Sequence, residues 1–271
     1  MAISTNSIVT LANTKTYLGI TSTTDDALLE LLIDRSSAQI QRYLGRTLVS
    51  QTLVEWHDTY GADRLNLTQS PAENIRFVGI GSTAVMSVSS SLSTDLFASI
   101  SVNDVHVHLY RVSSTGSEFQ TTITFASQDT TAEMATAISA TTGFTATSLL
   151  SAPSKYLRKI AGRELKNSTA TLTAAIDSLS DYQVDYERGI IYGASLCAYQ
   201  SMLVEYTGGY STIPFDLQQE AIDMTGRAYR GRLRDGGLAS ESLGGYSYSV
   251  RATVEIDAAS KRVLDSYRRL R

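Results

Sequence analysis

Of the 70 residues from Ser82 to Ser151, 28 are Ser or Thr, while the stretches on either side read as amphipathic helices and short strands. A hydroxyl-rich run without apolar periodicity stays unfolded, because it cannot bury enough surface to offset the entropy of ordering. This run has periodicity. Apolar and polar residues alternate in Val102–Tyr110 and in Thr121–Phe125, the pattern of half-buried strands. Thr130-Thr131-Ala132-Glu133 is a capping box that opens a helix through Ala140, with Met134, Ala135 and Ile138 on its apolar face. Phe144–Leu149, Tyr156–Ile160 and Ala170–Ala174 are further strand candidates. The expectation is a folded, strand-rich insertion domain over 75–182, set into a chain of different character.

The flanks supply that character. Thr10 is placed to cap a short helix that stops at Gly19, and Thr24 to cap a longer one ending before Gly45. Its stripe is Leu28, Leu29, Leu32, Ile33, Ile40, Tyr43 and Leu44, with Asp25 and Asp26 in the first turn where the helix dipole favours acids. Thr52–His57 and Arg64–Thr68, joined by a turn-like segment, predict a β-hairpin. After the insertion, Tyr186–Tyr192 and Ser201–Tyr210 read as strands. Pro214 opens a helix with the inward stripe Leu217, Ala221, Met224, Ala228 and Leu233. A Gly/Ser-rich arm, Gly236–Tyr248, precedes a last helix from about Asp257 to Leu270. The fold class is therefore α+β: a helical core of three to four main helices plus a hairpin, with the insertion. The expected division is 1–74 and 183–235 for the core, 75–182 for the insertion and 236–271 for the arm and basic helix.

Charge is unevenly placed. Residues 1–226 hold 13 Lys/Arg against 22 Asp/Glu, and residues 227–271 hold 10 against 5, so the two parts carry −9 and +5. A basic end suits a helix terminus, a neighbour's acidic surface or DNA phosphates. No apolar run reaches the roughly 18 residues of a membrane span, and MAISTNSIVTL lacks the basic-then-apolar start of a secretory signal, so neither anchor nor leader is expected. A single cysteine, Cys197, leaves no internal disulfide and no cysteine cluster for a metal.

The sequence offers little chemistry. His106 and His108 would share a strand face, with Asp104 as a possible third metal ligand, but no second cluster supports them. His57 beside Asp58 sits at a strand end. Ser195 in Gly193-Ala194-Ser195-Leu196-Cys197 lacks the second glycine of a nucleophile elbow, and Gly79-Ile80-Gly81 lacks the third glycine of a dinucleotide fingerprint. No catalytic residue, cofactor or metal is expected. Arg227, Arg230, Arg232 and Arg234 form the densest basic run. Without interleaved aromatics it fits a dipole-matched helix end, contact with an acidic neighbour, or sequence-blind contact with phosphates. Tyrosine is abundant, with 15 against a single Trp56. Tyr17, Tyr43 and Tyr229 fall at helical stripe positions, and Tyr246 and Tyr248 in the arm, where a rigid amphipathic ring anchors well to a partner.

In order along the chain, several stretches resemble the head-tail connector (adaptor, or head-completion) proteins of tailed phages. These are Val9–Ala12 to Tyr17–Ile20, Asp25–Leu29, Tyr43–Arg46, Asp185–Tyr192, Glu205–Tyr210, Ile213–Ala221 and Ser240–Ser247. They cover roughly residues 1–74 and 183–271, and the Ser82–Lys166 insertion departs from the compact members. The resemblance implies a structural virion protein of the neck, not an enzyme. It implies a ring, usually of twelve subunits, joining the portal to the tail or a stopper or nozzle protein, with DNA passing through the lumen. It also implies that the C-terminal segment docks on the portal, which would engage Leu243, Tyr246, Tyr248, Val263, Leu264, Tyr267 and Leu270. Arg227, Arg230, Arg232 and Arg234 would then face the channel or a neighbouring subunit. Separately from the resemblance, the insertion is expected to project outward and contact another virion component such as a tail fibre or a neighbouring capsid protein. The alternative reading is a receptor- or carbohydrate-binding virion or surface protein that works through the Ser/Thr-rich insertion.

Overall fold

The computed structural model describes residues 3–59, 61, 63–193, 201–232, 240–243, 246–249 and 256–268. The helices are α1 (Leu11–Leu18), α2 (Asp26–Leu44), α3 (Thr131–Ser139), α4 (Phe215–Gly231) and α5 (Ala258–Ser266). The first strands are β1 (Gln51–Asp58), β2 (Arg64–Asn66), β3 (Ala72–Ile80), β4 (Thr83–Ser90), β5 (Phe97–Val102), β6 (His106–Val112), β7 (Glu118–Thr124) and β8 (Phe144–Ser148). They are followed by β9 (Ile160–Glu164), β10 (Thr169–Ala174), β11 (Asp177–Ser178), β12 (Gln183–Asp185), β13 (Ile190–Tyr192), β14 (Ser201–Gly208), β15 (Ser240–Leu243) and β16 (Tyr246–Ser249). Two compact units result, one of residues 1–51, 68–71 and 208–271 and the other of 52–67 and 72–207.

The first unit is helical. Thr10 caps α1 by accepting from the Asn13 N–H, and Gly19 closes it at φ 68°, as the sequence predicts. Gly45, at φ 70°, closes α2 in the same way. The start of α2 differs from expectation. Asp25, not Thr24, holds the cap position and makes no side-chain capping bond, because its carboxylate is taken by Tyr229 and Arg232 of the α4 end. Ile33, Ile40 and Leu44 of α2 pack with Leu217, Ala221 and Met224 of α4 and with Leu264 of α5 in one core. Between α2 and α4 the Ser36 and Thr225 hydroxyls meet at 2.8 Å, a buried pair whose small side chains let the helices approach. The expected stripe residue Leu233 lies outside the described residues.

The last helix has a place that the sequence did not suggest. Its apolar face is narrow, yet Leu264 is fully buried in the core of the first unit. Asp257 caps α5 by accepting from the Ser260 N–H. The backbone of the Gly/Ser-rich arm forms an antiparallel pair, Ser240 opposite Ser249 and Leu243 opposite Tyr246.

The second unit has two cores. In one, the sheets β10-β4-β8 and β7-β6-β5-β9 enclose Met86, Ile100, Leu109 and Leu157, with Met134 and Ile138 of α3 packed among them. The predicted capping box is present in full, Thr130 accepting from Glu133 N and Glu133 accepting from Thr130 N. In the other, the sheets β1-β14-β3-β11 and β12-β13-β2 surround Leu65, Leu67, Val78, Ile191, Met202, Val204 and Tyr206. The segment 75–182 expected as an insertion lies within this unit, which also takes in 52–67 and 183–207.

Four strand expectations change, one of them Tyr186–Tyr192, where 186–189 is turn and only Ile190–Tyr192 is strand. The hairpin of Thr52–His57 with Arg64–Thr68 does not form: β1 pairs with β14, while β2 pairs with β13 through Leu65 opposite Ile191. Both partners lie more than a hundred residues on, so the nearest strand-like run in sequence was not the nearest in space. The hairpin in this region is β12–β13, turning at Gly189 with φ 63°. Val102–Tyr110 is broken at Asn103, whose Oδ1 accepts from the N–H groups of Val105 and His106, and so becomes the end of β5 and most of β6. Tyr156–Ile160 is a 3-10 turn, Ser154–Tyr156, leading to β9.

Candidate connector interface

The residues that the sequence assigned to partner contacts divide by position. The end of α4 and the whole of α5 carry the described basic and C-terminal residues, and a set of tyrosine–carboxylate bonds holds them. Tyr17 of α1 donates to Asp223 of α4 at 2.7 Å. Tyr43 of α2 donates to Asp265 of α5 at 2.7 Å. Tyr229 of α4 donates to Asp25 at the head of α2 at 2.5 Å, and Tyr267 after α5 donates to Asp216 in the first turn of α4 at 2.6 Å. Each bond joins two helices. Each also disfavours the phenolate, since ionising the phenol would set two negative charges face to face and lose the donor. For Tyr17, Tyr43 and Tyr229 the hydrogen bond to the carboxylate is the main reason that the phenol is shifted upward. For Tyr267, burial comes first and Asp216 second, and together they push it up to about 12.

Of the basic run, Arg227 pairs with Asp257, the α5 cap. The bond that Asp257 accepts from the Ser260 N–H, helped by Arg227, holds the carboxyl at about 2. Arg232 pairs with Asp25 at 3.1 Å and lies over the Tyr229 ring at 3.7 Å. Two of the four arginines are thus used inside the unit. Arg230 is exposed, and Arg234 lies outside the described residues.

Of the C-terminal set, Leu264 is fully buried and Tyr267 half-buried, its hydroxyl on Asp216 and its carbonyl accepting from Arg46 at 2.9 Å. Val263 is half-buried. Leu243, Tyr246 and Tyr248 fall on the β15–β16 pair, which is described by its backbone alone, and Leu270 lies outside the described residues. Sequence reasoning missed the aspartates that receive the tyrosines. Their partners are 51 to 222 positions away, and no local pattern marks such a pair.

In the second unit, Glu205 of β14 is 3% exposed and accepts from Tyr156 at 2.5 Å and Lys155 at 2.9 Å, with Arg76 at 3.7 Å. Burial alone would raise this carboxyl, but the hydrogen bonds from Tyr156 and Lys155 and the two cations overcome it and hold the group below its usual range. Burial, then the bond to Glu205, raises the Tyr156 phenol far above its usual value. Phe77 stacks on Tyr156 at 4.9 Å, so the charged group sits beside an aromatic pair. His106 and His108 are half-buried on β6. Asp104, considered with them, instead pairs with Lys159 at 2.5 Å. His57 lies 3.2 Å from Glu55. Ser195 and Cys197 fall outside the described residues, and among those described no group of three or more His, Cys, Asp or Glu gathers to hold a metal.

Residues 8–138 match the family of Phage gp6-like head-tail connector proteins, so over that span the chain is similar to head-tail connectors. The matched span begins just before α1 and ends within α3, crossing from the first unit into the second. Among solved structures, a chain of the "Neck of empty GTA particle computed with C6 symmetry" aligns over 100% of this chain and 94% of its own, at 11% identity and a TM-score of 0.46. No curated protein matches the chain.

Proposed function

We propose that the protein is a non-enzymatic head-tail connector that closes into a ring in the neck of a phage virion, joins the portal to the tail or a stopper or nozzle protein, and lets DNA through its lumen. The observation that carries this reading is the connector-family match over residues 8–138. Twelve subunits is the ring number that the family resemblance implies, in keeping with the closed cyclic symmetry of homo-oligomers. The helical unit is the ring-forming adaptor core, and the strand-rich part of 75–182 contacts another virion component such as a tail fibre. Portal contact falls to the C-terminal segment, with Leu243, Tyr246 and Tyr248 on the hairpin as its anchors and Val263 and Leu270 as further contacts. Leu264 is removed from that set because it is spent within its own unit, and Tyr267 acts there as a helix tie. Among the described arginines of the basic run, Arg230 is exposed and the one to meet passing phosphates, a contact weakened by salt and blind to sequence.

Native mass measurement of the purified chain with and without its portal tests this. Closed rings that assemble on the portal support the reading. A stable trimer that ignores the portal supports the receptor-binding alternative and overturns it.

A further inference from the structure

Loop 91–96, which follows β4, and the turn before β10 form a cleft of about 360 Å³ in the second unit. Its wall is Ser89 to Ser93 on one side and Leu165 to Thr169 on the other. The hydroxyls of half-buried Ser89 and of exposed Ser91 and Ser93, and the exposed amide of Asn167, make no hydrogen bond to a described residue and are open to a solute, whereas Ser90 and Ser168 are satisfied by backbone carbonyls. Lys166 is the one charged side chain in the lining. It is half-buried, and Nζ donates to the Leu96 carbonyl at 3.2 Å, which leaves its other protons to donate. Leu92 and Leu165 supply apolar wall between the polar groups.

We propose that this cleft binds a sugar residue bearing one oxyanion, either a carboxylate or a phosphate ester. The hydroxyls and amide match a polyol, which both donates and accepts at each position. The lone cation, with no carboxylate in the lining, selects an anionic sugar over a neutral one. The leucines face its C–H surface. Nothing here depends on the neck assignment: an empty cleft leaves the connector reading intact, and a connector that forms no ring leaves the cleft intact.

The test is amide NMR on the full chain, titrated at millimolar concentration with a uronic-acid oligosaccharide, a hexose phosphate, the matching neutral sugars and inorganic phosphate. The expected result is shifts confined to residues 89–93 and 165–169 with one of the two acidic sugars, which also tells carboxylate from phosphate. Lys166→Gln weakens that binding about tenfold, and Lys166→Arg retains it. Asn167→Gly, which keeps the left-handed backbone at φ 57° while removing the amide, weakens binding without touching the lysine contact. Equal response to neutral sugars, an equal response to inorganic phosphate alone, no shifts at all, or binding indifferent to both variants overturns the proposal.

Discussion

Leu264→Ala tests whether α5 is a structural part of its own unit. The side chain is fully buried and packs in the core built from α2 and α4. Removing its methyls costs the lost transfer free energy plus the cavity left between helices whose Tyr43–Asp265 and Arg227–Asp257 ties resist collapse, together about 3 kcal/mol. Val263→Ala, at a half-buried site on the same helix, costs under about 1 kcal/mol. Urea unfolding followed by circular dichroism at 222 nm reports the helical unit, and Trp56 fluorescence gives a separate signal from the other. A helical midpoint lowered by about 3 kcal/mol for Leu264→Ala against under 1 for Val263→Ala is the predicted outcome. Equal and small effects at both positions would mean that α5 is not docked, and the account of the first unit would fall. Removing residues 256–271 exposes the same surface, so that truncation destabilises the helical unit.

Three further outcomes follow from the site chemistry. Glu205→Ala leaves a buried phenol and a lysine without their acceptor and lowers the stability of the second unit by about 3 kcal/mol, read from Trp56 fluorescence in urea. Because the folded Tyr267 pKa is raised to about 12, its contribution is complete below pH 10 and lost as pH climbs through 12; Tyr267→Phe flattens that alkaline limb in a stability–pH profile, and an unchanged limb refutes the assignment. Thr130→Ala removes the capping box of α3 and costs about 1 kcal/mol, measured as a shift in the urea midpoint.

What the sequence revealed was local. The Thr10 and Gly19 caps, the Gly45 stop, the α3 capping box and the Pro214 opening are each written in residues within a turn of one another, and each forms as read. What stayed hidden was long-range. Nothing near Arg64–Asn66 says that β13 is its partner, and nothing near Asp25 says that Tyr229 and Arg232 will claim its carboxylate in place of a cap. The role of α5 was hidden for a related reason. A nine-residue helix with one fully buried leucine looks too weak to join a core, but its attachment comes as much from Asp257, Asp265 and Tyr267 as from apolar area. The proposed partner-contact residues are legible only as types, since aromatic side chains in a Gly/Ser-rich hairpin suggest anchoring without naming a surface.

The central claim is the place of this chain in a particle. Averaged cryo-EM images of the virion neck, compared with and without a tag fused at the N-terminus, test it most directly. The expected image is a closed ring of this subunit at the single portal vertex, with the tag density repeated once per subunit around it. Tag density at fibre tips, spread over the capsid, or missing from the neck would contradict it.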